Sequence, residues 1–251
     1  MLSLDTTFDF TTYTPKYWDK YWEFDSLLGS INNDPDSASK MMQNYQKILW
    51  SKTLPNGEIM ELKIVSGSRY LTWKNFRFGS DSITTSFRYV RYRFMIEQVA
   101  EYLSDYHQFM ETYIHKTYTI GGAIIFPKQH GGINQMRGWN YKIKDRWDLT
   151  LECIRRYYQK EENPLYSVLL KNKDFFDLFV DFKGYVDFFC LQDCVTEDYK
   201  VDFWLKHEGF ESNPLPDTVD KYLLWMKKQI EFVEKRNKRI DNEIINRKEL
   251  L

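Results

Sequence analysis

The sequence predicts an α+β fold: a mostly helical single domain with a small antiparallel β-sheet. Three observations carry this. Short β-type runs separated by turn signals lie only at 58–78 and 118–126. Apolar residues recur at helical spacing through most of the remainder. And 251 residues with 43% hydrophobic and 18% aromatic content can bury a core without disulfides, an interior expected to be built on Phe, Tyr and Trp.

Taken in order, 1–57 reads as an aromatic-rich N-terminal arm. Turn signals punctuate it at 32–35 and at LPNG (54–57), and a short helical stretch covers 37–50. The next part, 58–126, is sheet plus a long helix. Runs at 58–65, 69–73 and 75–78 around a Ser/Gly turn read as a meander or hairpin pair. Tyr92, Ile96, Val99, Leu103, Tyr106, Met110 and Tyr113 then recur at steps of four and three, which predicts one helix, with Ser82 or Thr84 as its cap. YTIGGAIIFP (118–127) holds β-branched residues around a Gly pair and ends in proline, so it reads as a buried strand running into a loop.

In the helical part, 127–251, a loop with His130, Gly131 and Gly132 leads into INQMRGWNYKIKDRWDLTLECIRRYY (133–158), the most charge-crowded stretch of the chain. Asp145 is expected to cap a helix whose buried stripe is Trp147, Leu151, Ile154 and Tyr158. Asn163-Pro164 reads as a helix start. Phe175, Phe179, Phe182, Val186 and Phe189 predict one helix weakened at Gly184, or two. After NPLP (213–216), Val219, Leu223, Met226, Ile230, Val233 and Ile240 mark a long C-terminal helix.

Composition excludes several classes. Lys plus Arg (35) nearly cancels Asp plus Glu (36), so attraction to nucleic acid has to come from a local patch. Cys153, Cys190 and Cys194 form neither CxxC nor a zinc spacing, which fits a reducing cytoplasm. No run approaches the ~20 apolar residues of a membrane helix, and the N-terminus lacks a signal-peptide pattern, so no membrane partner is expected. GxGxxG, the P-loop and the nucleophile elbow are missing, against standard dinucleotide enzymes, NTPases and serine hydrolases.

The chemistry therefore concentrates on the helix after Asp145. Spacings of four and three put Asp148, Glu152 and Arg155 on one surface, flanked by Arg146 and Arg156, with Arg137 and Asn140 just upstream at a helix mouth that favours anions. Such a catalytic set can hold a phosphodiester in Arg137, Asn140, Arg146, Arg156 and Arg155 while Asp148, Glu152 or the loop residue His130 serves acid–base roles. The same residues can equally form an internal salt-bridge network. A metal reading adds Asp177 and Asp181, also spaced i, i+4, to Asp148 and Glu152 as ligands of Mg²⁺ or Mn²⁺. RYVRYRF (88–94) interleaves Arg88, Arg91 and Arg93 with aromatic rings, a pattern suited to single-stranded nucleic acid, or to the exposed face of a packed helix. The basic end of the C-terminal helix, Lys235, Arg236, Lys238, Arg239, Arg247 and Lys248, reads as a solvated face that offsets the helix dipole.

The motifs LWSKTLPNGE, YTIGGAIIFP, INQMRG, DRWDLTLECIRRYY and DFKGYVDFF together resemble an uncharacterised bacterial family over nearly the whole chain. Size and composition are also similar to plasmid-encoded abortive-infection proteins of lactic acid bacteria. That second resemblance implies antiviral defence, for which RNA is a common target. The expected function is thus a cytoplasmic antiphage protein acting on RNA, as a ribonuclease. The alternatives are a non-catalytic module that binds RNA or a phage protein, and a nucleotide-dependent transferase toxin using the same arginines.

Overall fold

The computed structural model describes residues 4–10, 39–84 and 93–249. Helix α1, Lys40–Trp50, begins where the Ser39 Oγ accepts the Met42 N–H at 3.1 Å, a cap that contributes about 1 kcal/mol. Its last residue, Trp50, is fully buried against Phe188 and Phe189. Of the N-terminal arm, Phe10 is buried and meets the rings of Phe8 and Tyr45.

Four strands follow: β1 Lys63–Ile64, β2 Leu71–Trp73, β3 Phe76–Ser82 and β4 Ala123–Pro127, antiparallel in the order β1-β2-β3-β4. The register sets Leu71 opposite Phe78 on the buried face and Thr72 opposite Arg77 on the other, as a period of two requires. Strand β4 is buried on both faces, in line with its unbroken apolar run. The predicted strand at 118–126 begins late, because Ile120–Gly122 is a 3₁₀ turn. The Gly121 N–H donates to Asn237 Oδ1 at 2.8 Å, and a Cβ on Gly122 would collide with the Thr117 carbonyl. Only glycines admit so close an approach.

The predicted long helix is two helices, α2 Arg93–Tyr102 and α3 Tyr106–Thr117. Apolar spacing continues across the break, but Ser104 and Asp105 are residues that compete with helical backbone hydrogen bonds. Ser82 is no helix cap: it belongs to β3, and its hydroxyl bonds Thr84. Residues 85–92, with Arg88 and Arg91, and the side chain of Arg93 lie outside what the structure describes.

The remaining helices are α4 Ile133–Trp139, α5 Trp147–Tyr158, α6 Tyr166–Lys171, α7 Lys173–Asp177, α8 Phe182–Phe188 and the 31-residue α9 Val219–Glu249. The chain turns between α7 and α8 at Val180 (φ 69°), and Asp181 then caps α8, its Oδ1 accepting the Gly184 N–H at 2.7 Å. Two helices are therefore present, and the break precedes Gly184. Phe175, Phe176, Phe179, Tyr185, Phe188 and Phe189 form a continuous aromatic cluster under Trp50. Helix α9 packs along α2, α3 and the 120–122 turn. The result is an α+β domain, mostly helical, with one small antiparallel sheet.

Candidate functional site

The charge-crowded segment folds as helix, turn, helix. Gly131 (φ 64°) makes the turn into α4 and donates its N–H to Gln135 Oε1 at 2.7 Å. Arg137, in the last turn of α4, is completely buried. Its guanidinium donates to Asp81 Oδ2 (2.8 Å), the Ser82 carbonyl (2.8 Å), Thr150 Oγ1 (3.3 Å) and the Asp145 carbonyl (3.3 Å), and stands 3.4 Å from the Asp145 carboxylate. Asn140 donates to the Pro164 carbonyl at 3.2 Å and accepts the Lys142 N–H at 2.9 Å. The Arg137 and Asn140 side chains both tie the 140–146 turn to its neighbours.

Arg146, not Asp145, is the N-cap residue of α5; Asp145 sits in the left-handed region at φ 64°. Arg146 Nε donates to Asp148 Oδ1 at 3.0 Å and Nη2 to Asp148 Oδ2, while Nη1 reaches the Pro214 carbonyl at 2.8 Å. Asp148 also accepts the Trp204 N–H at 3.1 Å. The Arg146 side chain is 2% exposed and that of Asp148 0%. This pair is sealed from solvent and its polar groups are spent on protein partners.

One turn further on, the network opens. Glu152 is 4% exposed and accepts Arg155 Nε (2.7 Å), Arg155 Nη2 (2.8 Å) and Arg156 Nε (2.7 Å). Burial pushes its carboxyl up, but the hydrogen bonds from Arg155 and Arg156 outweigh burial and hold it below the usual range. The Arg156 guanidinium lies 4.8 Å from the Phe210 ring with its side chain 31% exposed. His207 packs between Phe203 and Phe210, and its buried Nε2 has no hydrogen-bond partner among the described residues. Burial, followed by the positive charge of Arg146, holds His207 below the ordinary histidine range. The 203–214 loop also reaches Lys142 through an ion pair with Glu211. The Lys142 ammonium lies 5.8 Å from the ring of Tyr141, which is 66% exposed, and Trp139, 65% exposed, closes α4 three residues earlier in the chain.

His130 is exposed at the Gly131 turn. Asp177 pairs with Lys173, and Asp181 caps α8. Among the described residues no group of three or more His, Cys, Asp or Glu side chains is placed to hold a metal ion, so Asp148, Glu152, Asp177 and Asp181 are not gathered into a Mg²⁺ or Mn²⁺ site. Arg236, read as solvated, is fully buried and donates to the carbonyls of Phe189, Gly121 and Ala123. It lies at i+3 from Val233 and i−4 from Ile240, on the apolar stripe itself. Sequence reasoning also passed over His207, Trp139 and Tyr141. For the last two the signal was present: WNYK interleaves rings with polar residues in a turn between helices.

A family model described as a family of unknown function, DUF6994, matches residues 4–240. No curated protein and no solved structure matches the chain.

Proposed function

We propose that this chain, which belongs to the DUF6994 family of unknown function, binds RNA and does so without cutting it. One observation carries the reading: two large rings in the same turn, Trp139 and Tyr141, are exposed, Tyr141 lies against Lys142, and the 203–214 loop that pairs with Lys142 also contacts Arg156 and carries His207. Single-stranded RNA is recognised by such a combination, since unstacked bases lie on aromatic faces and cations take the phosphates. Arg156 suits the phosphate role, because Glu152 fixes its Nε and leaves both terminal amino groups unengaged among the described residues.

Binding without cleavage is supported by the state of the two carboxylates. Asp148 is sealed, and Glu152 has both oxygens committed to guanidiniums, so neither is placed to accept a proton from a ribose hydroxyl. A reducing cytoplasm is the compartment that three free, buried cysteines support, and antiphage defence is the setting that the resemblance to abortive-infection proteins suggests.

The test is a gel shift of labelled single-stranded RNA, with and without Mg²⁺ or Mn²⁺. The expected result is a salt-sensitive shift of intact RNA, weakened about tenfold or more by Trp139→Ala with Tyr141→Ala. The paired substitution should leave the melting temperature essentially unchanged. Cleaved RNA would overturn the non-catalytic reading and turn attention to His207 as base. No shift at low salt by the parent protein would overturn RNA binding altogether.

A further inference from the structure

The outward face of the sheet carries a row of cations. Lys63 is paired with Thr72, and Thr72 with Arg77. Phe78 is opposite Pro127, so Lys128 continues the row, and its N–H donates to the Arg77 carbonyl at 2.7 Å. Lys63, Arg77 and Lys128 are all exposed. None of the three is in an ion pair among the described residues, although ion pairs are frequent elsewhere on this surface. The acids of this face do little to offset them: Asp81 is held by Arg137 and Glu58 by Lys74, which leaves Glu61.

An aromatic ring sits within this row. Tyr70, just ahead of β2 and opposite Gly79 by the β2–β3 register, is partly exposed. The Arg77 guanidinium lies 5.8 Å and the Lys128 ammonium 6.0 Å from its ring centroid. Gly79 permits this arrangement, because the stem of Lys128 crosses it so closely that a Cβ there would meet the Lys128 Cδ at 3.1 Å. At about 4.8 Å between strands, the row from Lys63 to Lys128 spans about 14 Å.

We infer that this face is a second contact strip for single-stranded RNA, with Lys63, Arg77 and Lys128 on the phosphodiester backbone and Tyr70 under a base. The inference rests on the RNA-binding reading above but on different residues. Charge complementarity favours it: uncompensated cations at strand spacing present a line of positive charge, and a flanked ring supplies the stacking surface that a simple polyanion site does not need.

Fluorescence anisotropy of labelled oligouridylate across a salt series tests it. Removing one cation from the phosphate backbone lowers the slope of log affinity against log salt by about 0.7 for a single strand. Arg77→Ala with Lys128→Ala should therefore reduce the slope by about 1.4 and weaken binding about tenfold. Tyr70→Ala should weaken it further while Tyr70→Phe does not. Parent-like slope and affinity in the double variant, with the parent protein binding normally, would overturn the strip and leave the RNA-binding reading standing. Absence of binding by the parent protein would overturn both. Equal losses toward heparin and double-stranded RNA, with no effect of Tyr70→Ala, would overturn the single-strand assignment.

Discussion

Replacing Asp148 with Asn tests whether the crowded face of α5 is an internal strut. The substitution keeps the shape and an oxygen for the Trp204 N–H, but it removes the charge that Arg146 faces at 2% exposure. Removing one partner of a buried pair strands the other without water, which costs about 3–5 kcal/mol. For a chain of this size each kcal/mol shifts the melting temperature by about 2 °C, so Asp148→Asn should melt about 6–10 °C below the parent protein by circular dichroism. Replacing both partners, Arg146→Met with Asp148→Leu, should recover only part of that loss, since the apolar pair removes the stranded charge but leaves the Trp204 N–H and the Pro214 carbonyl without the partners they now have. RNA binding measured well below the transition should be unaffected in both. A variant that melts within about 1 °C of the parent protein yet loses RNA binding would refute the reasoning, because it would mean that Asp148 meets a ligand.

Two further outcomes follow from the same geometry. Because Glu152 titrates below its ordinary 4.5 in the folded chain, its contribution to stability is complete above that value and is lost as pH falls through the folded one; Glu152→Gln should flatten the decline in melting temperature between about pH 5 and pH 3, and an unchanged acid decline would show that other carboxylates dominate it. Val180 holds a left-handed φ of 69° while 62% exposed, a conformation that costs a β-branched residue about 1 kcal/mol or more. Val180→Gly should raise the melting temperature by about 2 °C, and a fall would refute the strain argument.

Much of the fold was legible where one element supplies its own signal. The helical stretch read at 37–50 is α1, the β-branched run read at 118–126 holds most of β4, and the apolar spacing after NPLP is α9. The misses have physical causes. The seven residues of α4 are too few to show a period, and their Gly131-Gly132 entry reads as loop. Asp145 was expected to cap, but its φ of 64° removes it from the N-cap conformation, and nothing in a local pattern announces that Arg137 would reach both its carbonyl and its carboxylate. The site divided in the same way. That Asp148, Glu152 and Arg155 share a surface of α5 follows from helical spacing, whereas the closing of one end by Trp204 and Pro214, and the arrival of His207 beside the network, depend on a loop more than fifty residues away.

The buried arginines explain why so many cations crowd a chain with almost no net charge. Irregular segments leave carbonyls that no helix or strand satisfies, and a buried orphan costs about 1–3 kcal/mol. Arg137 gathers the carbonyls of Ser82 and Asp145, Arg146 that of Pro214, and Arg236 those of Gly121, Ala123 and Phe189. Each joins elements distant in sequence: β3 to α5, α5 to the 203–214 loop, and α9 to β4 and α8. Arg137 and Arg146 have carboxylates nearby, but Arg236 pairs with none among the described residues, and burial pushes its pKa down to about 10. It still carries its charge at neutral pH, held by carbonyl dipoles and by the Trp50 ring, whose centroid lies 5.8 Å from the guanidinium. A guanidinium offers five donors in a rigid fork, which lysine cannot match at these positions. The arginines that organise the fold are therefore inward and committed to protein partners, while Arg156 and Arg77 lie at the surface against the rings of Phe210 and Tyr70.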